Sequence, residues 1–129
     1  MDIESVFFDM DGVVIESEKL HLQALGMTLE ANGISFDRAI LDQFDLVITA
    51  DDTSTHKPSP EPYLLALERT GSNKARTMII EDSSYGIIAG KAAGCIVCGL
   101  TTSFDAAILK DAGADLTSDN YRELHLSLQ

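Results

Sequence analysis

Residues 6–14 read VFFDMDGVV, and the fold turns on how that stretch is read. The apolar run stops at two aspartates, Asp9 and Asp11, two residues apart. Consecutive apolar side chains suit a strand buried on both faces, as in parallel sheets. Two like charges at the end of such a strand need something positive to hold them together. In open α/β sheets the carboxyl ends of the strands face the ligand crevice. The two acids therefore point to a site.

The rest of the chain repeats the pattern. Residues 3–8 (IESVFF) read as a buried strand. Residues 17–32 read as a helix, with Ser17 as N-cap, Gly33 as stop, and apolar residues from Leu20 to Ala31 on more than one stripe. DLVITA (45–50) is a short strand, followed by the acidic, Thr/Ser-rich loop DDTST. HKPSPEPYLLALERTG enters a helix through Ser59 and Pro60 and closes at Gly71. TMIIED (77–82) is a strand, SSYGIIAGKAAG a helix stopped by Gly94, CIVCGL a strand, SFDAAILKDAG a helix stopped by Gly113, and ADLT a last strand. SDNYRELHLSLQ reads as a short terminal helix. Apolar strands alternating with helices of about ten residues predict an α/β fold. It is a Rossmann-like parallel sheet with flanking helices, one domain over residues 1–129.

Composition narrows the function. The 129 residues are 45% hydrophobic and 23% charged, the balance of a globular domain with one core. A formal charge of −12 argues against binding to the phosphate backbone of nucleic acid or to an anionic membrane. It leaves room for a small phosphorylated ligand, because a metal and one lysine set the local field. No apolar stretch is long enough to span a bilayer. The start MDIESVFF lacks the basic segment of a signal peptide, so a cytoplasmic protein is expected. Cys95 and Cys98 are three apart on an expected strand and face opposite sides. They read as core thiols rather than as a redox or zinc pair.

Asp9, Asp11, Glu81 and Asp82 all fall at expected strand ends, and Lys57 lies in a loop leading into a helix. Each feature alone has an ordinary explanation in turn or helix-cap chemistry. Their conjunction, in this order, points to one crevice. Mutually repelling carboxylates there call for a hard divalent cation, and Mg²⁺ takes oxygen ligands from one or two carboxylates plus a substrate phosphate. Asp9 and Asp82 are the expected side-chain ligands, with Glu81 as a further one and the Asp11 carbonyl supplying another oxygen. Asp9 is then the expected nucleophile and Asp11 the general acid and base. Gly12 lets the backbone pass close to a phosphate, and Lys57 neutralises the phosphoryl oxygens. Ser83 either caps a helix or contacts metal-bound water. His21, His56 and His125 are scattered and make no metal site, His56 being a loop residue beside Lys57.

Three stretches, FFDMDGVVIESEKLH, HKPSPEPYLLAL and IIEDSSYGIIAGKAAG, closely resemble the haloacid dehalogenase-like hydrolases, in the branch of β-phosphoglucomutase and small sugar-phosphate phosphatases. The resemblance implies the same roles for Asp9, Asp11, Lys57, Glu81 and Asp82. Asp11 favours phosphoryl transfer over dehalogenation. Members of this branch carry a helical cap after the first helix, then a core strand ending in a phosphate-binding Ser or Thr. Here LEANGISFD runs almost at once into RAILDQFDLVITADDTSTHKP. Most of the cap and that strand are expected to be missing, with residues 17–34 a cap remnant. Thr49, ending DLVIT, is a candidate for the phosphate-binding residue, although the stretch also fits the segment just before the lysine. Without the missing strand, either DLVITA moves in beside the first strand or that strand keeps an unpaired edge. Dimerisation through the edge or the first helix would be one remedy. The function expected is Mg²⁺-dependent hydrolysis of a small phosphorylated metabolite. The alternatives are a phosphomutase and a non-catalytic remnant that binds metal or phosphate.

Overall fold

The apolar run at the N-terminus forms β1, Ser5–Met10, in a computed structural model that describes residues 2–10, 13–17 and 46–128. Next come β2 (Val13–Ser17), β3 (Leu46–Ile48) and a short 3₁₀ turn at Ala50–Asp52. Helix α1 is Glu61–Thr70, followed by a 3₁₀ turn at Lys74–Arg76 and β4 (Thr77–Glu81). Then follow α2 (Ser84–Ala92), β5 (Ile96–Leu100), α3 (Ala106–Asp111), β6 (Leu116–Ser118) and α4 (Tyr121–Leu128).

The strands form one six-stranded sheet in the order β3-β2-β1-β4-β5-β6. β1, β4, β5 and β6 run parallel, as the alternation predicts. β2 was not foreseen. It pairs antiparallel with β1, with Asp9 opposite Val14, and antiparallel with β3 on its far side. This corrects both expectations for the edge of β1. DLVITA does not lie beside β1, and β1 has no unpaired edge, because the chain folds back on it as a hairpin. The premise for dimerisation through that edge is thereby removed. Ser17, expected to cap a helix, is the last residue of β2. The rest of the expected helix and cap remnant, 18–34, lies outside the described residues.

β4 is the most deeply placed strand, with all five residues buried. Its alternate side chains feed two cores, as strand geometry requires. Phe7, Ile79 and Val97 face one side, against Tyr63 and Ala66 of α1, Ile87 of α2 and Leu109 of α3. Phe8, Met78, Ile80 and Cys98 face the other, covered by Leu124 of α4. Tyr121 stacks at a tilt on Phe8, ring centroids 6.0 Å apart. Cys95 lies in the first core and Cys98 in the second, both as free thiols. Burial pushes them up to about 11 and about 12.

Local signals behave as their chemistry demands. The Ser83 hydroxyl accepts from the Gly86 N–H at 3.1 Å and caps α2. Asp105 does the same for α3 through Ile108. Gly71 ends α1 in the left-handed region at φ 69°, where a side chain would be strained. No helix among the described residues is long and apolar enough to cross a membrane.

Candidate active site

The register of β1 against β4 assembles the site. Phe8 pairs with Ile80, so Asp9 and Glu81 stand side by side one step further on. Period-two alternation turns both toward the face that carries Phe7 and Ile79, beneath α1 and α2. Asp82 follows as β4 gives way to the α2 cap. Carboxylate oxygens of Asp9, Glu81 and Asp82 lie within 4.8 Å of one another.

Lys57 reaches this cluster from the loop before α1. Its Nζ is 2.8 Å from Asp9 Oδ1 and 2.5 Å from Glu81 Oε1. The Lys57 and Asp9 side chains are 17% and 11% exposed and Glu81 is 0% exposed, so the charges meet largely out of water. Among the described residues three carboxylates face one ammonium, and the acids repel most where the dielectric is lowest. Burial first, and the neighbouring Asp9 second, push the Glu81 carboxyl up to about 7, against the opposing pull of Lys57.

Asp9 Oδ1 is buried and, among the described residues, has no hydrogen-bond partner of good geometry, although the Lys57 ammonium is its ion-pair partner. An acceptor in that state has capacity to spare for a cation. On the outer side, Ser103 donates to Asp82 Oδ2 at 3.0 Å. A crevice of about 70 Å³ opens between Asp9, Glu81, Asp82, Thr102 and Tyr121, floored by Ile80 and Leu100. A larger groove of about 480 Å³, between the 50s loop and the outer face of α1, shares none of these residues. Its acids Asp52 and Glu61 are bonded to Thr49, Ser54 and Thr55. The converging carboxylates Asp9, Glu81 and Asp82 line the smaller crevice and not this groove, so the chemistry belongs to the smaller crevice.

The predicted residues divide into three groups. Asp9, Lys57, Glu81 and Asp82 are brought together. Ser83 stands beside them as the helix cap, its hydroxyl 3.5 Å from Glu81 Oε2. Thr49 is not brought in. It follows β3, two strands or roughly 10 Å from β1. Its backbone N–H and hydroxyl are spent on Asp52 Oδ2 at 2.8 and 3.3 Å. Asp11 and Gly12 lie outside the described residues. His56 is an exposed loop residue whose carbonyl accepts from the Ser59 N–H.

Two residues were missed. Tyr63, on α1, is fully buried and donates its hydroxyl to Glu81 Oε1. Its ring lies under the Lys57 ammonium, 5.1 Å from the centroid. In the sequence it looks like one more apolar position of YLLAL. Gly86, on α2, leaves the space that the Glu81 carboxylate fills. The pair of glycines four apart in GIIAG was the available signal that something presses close to that helix face.

Comparison with known proteins adds four observations. The family described as haloacid dehalogenase-like hydrolase has a sequence model that matches residues 36–100. Glycerol-1-phosphate phosphohydrolase 1 of Saccharomyces cerevisiae is 36% identical over 98 residues, covering 70% of this chain and 39% of the yeast protein. Phosphoglycolate phosphatase of Salmonella typhi is 35% identical over 86 residues, covering 66% of this chain and 34% of that one. Among solved structures, a candidate beta-phosphoglucomutase of Thermotoga maritima superposes with a TM-score of 0.64 at 26% identity, over 88% of this chain and 61% of that one. The chain spans well under half the length of these two curated relatives.

Proposed function

The chain belongs to the haloacid dehalogenase-like hydrolases, and from that premise we propose that it is a Mg²⁺-dependent phosphohydrolase of a small phosphorylated metabolite, working through an aspartyl-phosphate on Asp9. The observation that carries the reading is the cluster itself. Three carboxylates from two adjacent parallel strands converge with one lysine at the carboxyl ends. The two curated relatives above are named for phosphate-ester hydrolysis, of glycerol-1-phosphate and of phosphoglycolate.

The residues fit magnesium. The donors are all oxygen, the charge set is net negative, and Asp9 Oδ1 is a buried acceptor with unused capacity. Asp9 and Asp82 would hold the ion, with Glu81 and the Asp11 carbonyl completing the protein's share. Bound there, magnesium supplies charge neutralisation and polarises the phosphoryl group.

The chain's own residues divide the remaining work. Lys57, already 2.8 Å from Asp9, draws the phosphoryl oxygens toward the nucleophile and balances charge spreading over them. A carboxylate oxygen of Asp9 attacks phosphorus while Asp11 gives its proton to the departing ester oxygen. Asp11 then takes a proton from water, which attacks the same phosphorus, releases phosphate and restores Asp9. The small crevice between Thr102 and Tyr121 bounds one side of the reacting group. A reduced cap would let water reach the reacting group, which favours hydrolysis over transfer to a second sugar hydroxyl, a step that needs water excluded. That reduced cap, expected over residues 17–34 and now without Ser17, which belongs to β2, is part of this proposal.

Phosphate release from glycerol-1-phosphate, 2-deoxyglucose-6-phosphate and phosphoglycolate, with magnesium and with chelator, tests the reading. Activity should need the metal, and Asp9→Asn should remove it by at least about a thousandfold. Chelator-resistant hydrolysis, or an Asp9→Asn variant as active as the parent, would sink it.

A further inference from the structure

We propose that Tyr63 is a positioning residue of this site, its hydroxyl fixing the Glu81 carboxylate and its ring seating the Lys57 ammonium so that both are set against Asp9 before any ligand arrives. The proposal rests on the hydrolase reading above for the identity of the metal.

The argument is one of placement. Tyr63 is 0% exposed on a helix whose other buried positions are apolar. A phenylalanine would fill that space equally well, and a buried hydroxyl is unfavourable unless it finds an acceptor. Here the acceptor is Glu81 Oε1. The same oxygen receives Lys57 at 2.5 Å, so its two lone-pair directions are both taken. Among the described residues, the other oxygen, Oε2, has only the Ser83 hydroxyl at the 3.5 Å limit. The carboxylate is thus fixed with one oxygen committed and the other available, which is how an outer hydrogen bond orients a metal-site acid. The ring face does the second task. An ammonium 5.1 Å from a tyrosine centroid sits within the range of a cation–π contact, strengthened where water is scarce. One side chain therefore restrains two of the charged groups that meet Asp9, Lys57 and Glu81.

Calorimetric titration of the full chain with magnesium chloride tests this. Tyr63→Phe keeps the ring and removes the hydroxyl. It should weaken magnesium uptake about tenfold while melting remains cooperative, and should add nothing further once Glu81 is replaced by Gln. Uptake within twofold of the parent would overturn the assignment. So would an equal loss in the Glu81→Gln background, which marks a general packing defect. If the parent itself takes up no magnesium, the hydrolase reading fails while Tyr63 is still judged without metal. Acetylation of Lys57, followed by mass spectrometry, should then run several-fold faster in cooperatively melting Tyr63→Leu than in the parent. Equal rates would overturn the seating role.

Discussion

A methyl group added at Gly86 would lie 1.9 Å from Cδ of Glu81 and 2.0 and 2.1 Å from its carboxylate oxygens. Ordinary contact between carbon atoms begins near 3.5 Å, so something must move by about 1.5 Å. The far end of a long side chain usually yields easily, but this one cannot. Glu81 is fully buried and held by Lys57 and Tyr63. Moving it breaks at least one charge-assisted hydrogen bond, worth about 1.5–3 kcal/mol, and overpacking itself costs about 1–3 kcal/mol. Gly86→Ala should therefore destabilise the protein by about 3 kcal/mol, a large share of a typical 5–15 kcal/mol. The melting temperature should fall by roughly 10 °C. Magnesium uptake should weaken in the same variant. Urea and thermal denaturation check the first claim, calorimetry the second. The decisive control is the Glu81→Ala background, where the obstructing atoms are gone. There Gly86→Ala should become stabilising by up to about 1 kcal/mol, because alanine is the better helix former. A Gly86→Ala variant as stable as the parent, or one equally destabilised in both backgrounds, would refute the packing argument.

Further outcomes follow from the same geometry. Lys57→Met should lower phosphate release about 10²–10³-fold while magnesium uptake persists, since it removes the cation and none of the oxygen donors. In chelator, Glu81 should make stability depend on pH. Its folded value, about 7, lies above its ordinary 4.5, so the native state binds the extra proton between them. That contribution is complete below about pH 4.5 and is lost as pH rises through about 7, on the order of 3 kcal/mol in all. Melts across that window should show the decline in the parent and its absence in Glu81→Gln. The thiols Cys95 and Cys98 should resist a disulfide reagent in the native protein at pH 8 and both react in denaturant. A rapid reaction, or a Cys95–Cys98 bridge under mild oxidation, would contradict their placement in opposite cores.

Much of the site was legible because its signals are local. VFFD and TMIIED each say that a buried strand ends in acids, and parallel pairing follows from the intervening helices. The lysine was legible through KPSP, a helix entry carrying a single positive charge. What escaped depends on neighbours distant in sequence. Val13 to Ser17 carry strand-forming residues, but GVVIES beside a helical pattern gave no hairpin signal of its own. Tyr63 was hidden because an aromatic at a helical core position looks the same whether or not its hydroxyl meets a carboxylate. Thr49 shows the opposite failure. Its position after a short apolar run fits a phosphate-binding residue, yet Asp52 three residues on takes both its donors.

The amino-acid sequence by itself determined the alternation of buried strands and helices, the acids at the strand ends and the family to which they point. Those features are set by side-chain hydrophobicity and period, which each segment carries alone. Only the tertiary structure decided that β2 closes the edge of β1, that Thr49 stands two strands away, and that Glu81 is gripped by Tyr63 in a space that Gly86 leaves open. Register and close packing are properties of pairs of segments, and no single segment contains them.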